Sequence, residues 1–146
     1  MRGAMHPEAL RKSEVFSALS SEQLSKLAEV AQVTRHEPGE TLTEEGAIGF
    51  RFYLILEGTA TVERGDEEVA TIRAGDFVGE IALLGGGRST ATVRCRESTQ
   101  SLTIRREEFW EVLEAEPAIA LRILEVVARR LERELRPDLR ANLPGG

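Results

Sequence analysis

Between Gly79 and Arg88 the chain carries one carboxylate, Glu80, a run of three glycines, Gly85, Gly86 and Gly87, and one guanidinium, Arg88. Ser89, Thr90 and Thr92 add hydroxyls immediately beyond. A carboxylate, a loop free to take unusual backbone conformations and a planar cationic fork are the parts needed to hold a small, polar, anionic molecule. This chemistry is binding, not bond-making. His6 and His36 have no acid and nucleophile at catalytic spacing, and no G-x-S-x-G, H-E-x-x-H or C-x-x-C occurs. Two isolated histidines do not make the clustered His and carboxylate set of a metal-dependent β-roll enzyme. The sequence therefore predicts no catalytic residue, no metal ligand and no cofactor, and both histidines are expected at the surface.

Four zones must position the segment. Residues 7–32 read as helical, with a short first helix in HPEALRKSEVF, Pro7 near its start, and a second in SSEQLSKLAEVA. Ser20 or Ser21 caps the second, and Leu24, Leu27, Ala28 and Ala31 fall on one face. Residues 33–76 read as strands punctuated by Pro38-Gly39, Gly58, Gly65-Asp66 and Gly75-Asp76, a spacing that predicts an all-β sandwich or barrel. Ala60, Val62, Val69 and Ile72 are its expected inward residues. Two more strands, STATVRCR and STQSLTIRR, follow the glycine run, with Leu102 and Ile104 inward. Residues 106–136 return to helix, broken at Pro117. Phe109 and Trp110 are expected to pack on the barrel. Ala120, Leu124, Val127, Leu131 and Leu135 form an apolar stripe, either core or a dimer seam.

The 146 residues, 41% of them hydrophobic, suffice for one domain with a sizeable core. The expected division is a flexible segment over 1–9, one domain over 10–136 and a flexible tail over 137–146. The formal charge of −6 disfavours contact with nucleic acid by this chain. Cys95 is the only cysteine, so no internal disulfide forms and a cytoplasmic location is expected. No run approaches the ~20 apolar residues of a membrane span, and the first residues lack the apolar core of a signal peptide. No effector domain follows the helices, so the chain is expected to be a fragment or to act by binding a partner protein.

The order of these zones resembles the cyclic nucleotide-binding domain family over roughly residues 10–136. GDFVGEIALLGGGRSTATVR, Gly75 to Arg94, is similar to the family's phosphate-binding cassette, and VFSALSSEQL, PGETLTEEG, YLILEGTATV and ALRILEVVARRL match around it. The resemblance implies a mainly β fold, an eight-stranded antiparallel β-roll with N-terminal helices and two C-terminal helices. It implies a regulatory domain for a 3′,5′-cyclic nucleotide, cAMP more than cGMP. The implied ligand-binding residues are Gly79, Glu80, Ile81, Ala82, Arg88, Ser89 and Thr90. Glu80 would accept from a ribose 2′-hydroxyl, the N–H groups of Ile81 and Ala82 would face the phosphate, and an arginine would pair with its oxygens.

In this family Pro, Arg and a small residue most often precede the Ala-Thr-Val strand, and those columns here hold Arg88, Ser89 and Thr90. An ungapped match puts Ser89 in the arginine column, whereas a one-residue shift in the glycine run returns Arg88 to the phosphate. The alternative is a degenerate member that no longer binds the nucleotide and acts as an interaction or dimerisation module. Related regulators pair through the last helix, which implies a homodimer with Arg129, Arg130, Glu132 and Arg133 on the rim of the seam. It also puts Arg133 and Glu134 near the base.

Overall fold

A computed structural model of the chain describes residues 10–135 except Lys12, Glu14, Val15 and Ala18. The segments 1–9 and 137–146, with Pro7 and His6, lie outside the described residues. The first expected helix is reduced among the described residues to a 3₁₀ turn at Leu10 and Arg11. Ser13 N donates to Leu10 O, Phe16 N to Ser13 O and Leu19 N to Phe16 O. This three-residue repeat turns Leu10, Phe16 and Leu19 into the core. The helix α1, Ser21–Val30, begins at Ser20, whose hydroxyl accepts from Gln23 N while the Gln23 side chain accepts from Ser20 N. This reciprocal cap fixes its start, and Leu24 and Leu27 are its buried residues.

Eight strands follow: β1 (Gln32–His36), β2 (Thr41–Thr43), β3 (Arg51–Glu57), β4 (Ala60–Arg64), β5 (Glu67–Ile72), β6 (Phe77–Val78), β7 (Thr92–Cys95) and β8 (Thr99–Arg105). They form two four-stranded sheets, β1-β8-β3-β6 and β2-β7-β4-β5, paired antiparallel throughout. A short helix α2, Glu80–Leu84, interrupts the strands between β6 and β7. Two helices follow β8 among the described residues, α3 (Arg106–Ala115) and α4 (Pro117–Leu135). The fold is thus the mainly β roll with flanking helices that the resemblance implies.

Two apolar cores result. Inside the roll, Leu42, Tyr53, Ile55, Ala60, Ile72, Val78, Val93 and Cys95 pack together. Outside the first sheet, Phe52, Leu54, Phe77, Leu102 and Ile104 meet the buried faces of the helices. Phe109 of α3 stacks on Phe52 with ring centroids 4.9 Å apart, and Phe52 on Phe77 at 5.5 Å. Each such ring pair adds ~0.5–1.5 kcal/mol beyond area burial. The stacked rings therefore tie α3 to the sheet that carries the start of α2.

Two expectations fail in this region. Val69 is exposed, because β5 is an edge strand with only Ile72 buried. His36 is buried, not at the surface: one ring nitrogen meets Glu40 and Nε2 lies 2.8 Å from Ser101 Oγ, so both polar atoms are satisfied inside the roll. Ser101 in turn contacts Thr103 Oγ1 at 3.0 Å. Burial pushes the Cys95 thiol above its ordinary value, which keeps it a neutral apolar filler.

Candidate functional site

Gly79 leads from β6 into α2 with φ +97°, a conformation L side chains rarely adopt. A Cβ there would strike the carbonyl of Arg51 on β3. The glycine thus lets the turn lie directly on the sheet, and this sets the first residue of α2, Glu80, over the open end of the roll. Glu80 is only 5% exposed. Arg130 reaches it from α4: Nη1 lies 3.5 Å from Glu80 Oε1 and donates to Phe77 O at 2.9 Å. The same guanidinium sits 4.3 Å from the centroid of the Phe77 ring. Glu80 Oε2 is buried with no hydrogen-bond partner. Burial raises the Glu80 pKa; the charge of Arg130 and a backbone hydrogen bond only partly restrain it.

Glu80 faces a cavity of about 810 Å³, within the ~300–1,000 Å³ range of small-molecule sites. Its wall includes Val62, Ile72, Val78 and Val93 from the strands, and Val127, Arg130, Leu131 and Arg133 from α4. Arg64, Arg130 and Arg133 stand against Asp76 and Glu80, three cations to two carboxylates, one net positive charge. A cavity of that sign in a chain of charge −6 is a local reversal.

Of the residues expected to bind, Gly79, Glu80, Ala82, Ser89 and Thr90 line this cavity. The Ile81 side chain lies outside the described set. Arg88 stands apart. Residues 46–49 run beside the glycine loop: Gly46 N donates to Ser89 O, Ser89 N to Ala47 O and Gly49 N to Gly87 O. Ile48 and Arg88 form an isolated antiparallel bridge. Successive side chains on such a segment point to opposite sides, so Ser89 is buried against the cavity while Arg88 is exposed and donates to Gly46 O at 2.7 Å. This backbone pairing leaves Arg88 on the outer side and Ser89 on the cavity side. Close approach of this segment to α2 also needs Gly49, where a Cβ would lie 2.5 Å from Ala82 Cβ.

The last helix corrects the sequence reading twice. Arg130, expected on a rim, points into the site, while Arg133 lines the cavity and the Glu134 side chain lies outside the described set. The expected stripe divides. Ala120 and Val127 pack on the core beside fully buried Ile119 and Ile123, whereas Leu124, Leu131 and Leu135 are exposed. Leu121 and Ala128 complete that exposed row, so residues 121, 124, 128, 131 and 135 make an alternating three- and four-residue repeat. The signal for Arg130 was present in the sequence only as helical phase: it follows Val127 by three residues on the inward side.

The architecture and site define a β-roll with a cavity lined by its strands and by the terminal helix. Comparison with known proteins gives the family: the family model described as cyclic nucleotide-binding domain matches residues 33–116. The chain belongs to the cyclic nucleotide-binding domain family. It is 30% identical over 112 residues to a cAMP-dependent protein kinase regulatory subunit of Hypocrea atroviridis, covering 77% of this chain and 24% of that protein. It is 36% identical over 83 residues to a cGMP-dependent protein kinase of Eimeria tenella, covering 57% of this chain and 8% of that one. The crystal structure of the Thermus thermophilus catabolite activator protein superposes with a TM-score of 0.78 at 26% identity, over 88% of this chain and 63% of that one. The chain spans less than a third of the length of the curated relatives it matches. No helix among the described residues is long and apolar enough to cross a membrane.

Proposed function

We propose that this chain is a non-catalytic regulatory domain that binds a 3′,5′-cyclic nucleotide, cAMP ahead of cGMP, in the cavity beside Glu80. The observation that carries the reading is the buried Glu80 carboxylate with one oxygen unpartnered, in a cavity lined by three arginines. The ribose 2′-hydroxyl would donate to that oxygen, and a singly charged cyclic phosphate would complement the cavity's net charge. The N–H groups of Ile81 and Ala82 and the hydroxyls of Ser89 and Thr90 would donate to the phosphate. The preference for cAMP rests on the similarity to regulatory subunits of cAMP-dependent kinases. Calorimetric titration with each nucleotide tests it: saturable heat with cAMP, and weaker heat with cGMP, is expected, whereas no heat with either overturns it.

A second reading, a degenerate fold kept as an interaction module, is favoured by one observation: Arg88 is engaged with Gly46 O and does not line the cavity. The same titration separates the two. In either reading a second copy of the chain would cover the row Leu121, Leu124, Ala128, Leu131 and Leu135, whose spacing is that of a two-helix seam. The chain would then act as a cytoplasmic homodimer that signals to a protein effector, with Leu131 at both the seam and the cavity.

A further inference from the structure

The helix α2 is five residues long, too short to hold itself together. A helix of that length leaves nearly all its carbonyls without partners inside it. Two of them are met by side chains from α3. Arg106 Nη2 donates to Ala82 O at 3.0 Å, and Trp110 Nε1 donates to Leu83 O at 3.1 Å. Arg106 and Trp110 are four residues apart, so they project from the same face of α3. Phe109, between them, is stacked on Phe52 and 2% exposed, which anchors that stretch of α3 to the sheet. Leu83, whose carbonyl Trp110 holds, is itself buried in the same core.

We infer that Arg106 and Trp110 are positioning residues: they clamp the carbonyl end of α2 and thereby hold Glu80, at its other end, over the cavity. Neither lines the cavity, so neither would touch a ligand there. Trp110 is 41% exposed, more than a core-packing role needs, and its indole N–H is the part the structure uses. The inference deepens the nucleotide-binding reading above and, where ligand affinity is concerned, rests on it.

The test uses the full chain with Trp110→Phe, which keeps the ring and removes the donor. Arg106→Met removes the other donor, and Arg106→Lys restores one. Amide exchange over residues 79–84, without ligand, should speed about three- to tenfold in Trp110→Phe and Arg106→Met, the scale of one lost hydrogen bond, and recover in Arg106→Lys. Exchange in β3 and β8 should not change. Titration with cAMP should show the same two variants binding about three- to tenfold more weakly. Unchanged α2 exchange in both variants overturns the clamp. Faster exchange in a protein whose wild type gives no heat with cAMP or cGMP supports the clamp and counts against the nucleotide reading alone. Faster exchange with undiminished cAMP affinity overturns the positioning role.

Discussion

Glu80 and Arg88 flank the same short helix and glycine run, yet the fold treats them in opposite ways. Glu80 is buried at the start of α2, with one oxygen near Arg130 and the other without a partner. Arg88 lies in solvent with its guanidinium on the Gly46 carbonyl. The acidic end is set by close backbone packing: Gly79 lies against Arg51 O, and Arg106 and Trp110 of α3 donate to α2 carbonyls from behind. The basic end is fixed by a strand-like pairing with residues 46–49, whose two-residue period decides which side chain faces inward. That period selects Ser89. The cavity therefore keeps the Glu80 carboxylate, while its cations come from β4 and α4.

The largest effect should come from restoring a guanidinium on the inward side of that pairing. Ser89→Arg places a charge-assisted donor in the column that Arg88 misses, and such a bond contributes ~1.5–3 kcal/mol. Calorimetry should show cAMP affinity rising roughly ten- to hundredfold. Unchanged or weaker binding would mean that position 89 does not face the phosphate.

Glu80→Gln works on the opposite end and should weaken cAMP binding by ~1–3 kcal/mol. It also carries a stability signature of its own. Burial raises the Glu80 pKa above its ordinary value of 4.5, so the folded state binds that proton more tightly than the unfolded chain does. The stabilising contribution of the protonated form is complete below the unfolded value and is lost as pH rises through the folded one. Thermal unfolding of Glu80→Gln should therefore occur above wild type at pH 7, and the gap should close as the pH falls towards 4. A gap that widens on acidification contradicts the sign. Loss of binding with gain of stability is what a strained binding carboxylate produces.

Helix α4 offers a second contrast, between a face that closes the core and a face left bare. Leu131→Glu would force an unpaired carboxylate into any seam between copies. Sedimentation should show wild type as a dimer and the variant as a monomer. A wild type that stays monomeric at high micromolar concentration removes the dimer.

Much of the fold was legible in the sequence because its signals are local. The serine cap of α1, read as Ser20 or Ser21 and found at Ser20, Pro117 and the glycine-punctuated strands each specify structure within a few residues. Gly79 and Glu80 were picked out through the resemblance of Gly75 to Arg94 to the family's cassette, and both line the cavity. What the sequence left open depends on long-range pairing. Arg88 could not be assigned a side until residues 46–49 were seen beside it. Arg130 reaches Glu80 across fifty positions of chain, and the buried His36 depends on Ser101 from another strand. The stripe on α4 was read as one face because Ala120 and Val127 are as apolar as Leu124 and Leu131; only packing against Ile119 and Ile123 divides them.

The smallest effect is expected at Arg88 itself. Arg88→Ala removes an exposed bond to Gly46 O, and surface changes of that kind stay within ~0.5 kcal/mol. Its cAMP affinity should stay within about threefold of wild type, and a collapse of binding would place Arg88 on the phosphate after all.

The most direct test pairs a change in the ligand with a change in the protein. Titrate wild type and Glu80→Gln with cAMP and with 2′-deoxy-cAMP. If Glu80 reads the ribose hydroxyl, wild type should lose about tenfold or more on the deoxy ligand, and the variant should show a much smaller difference between the two ligands. An equal loss in both proteins, or no discrimination by wild type, would contradict the assignment of Glu80 to the ribose.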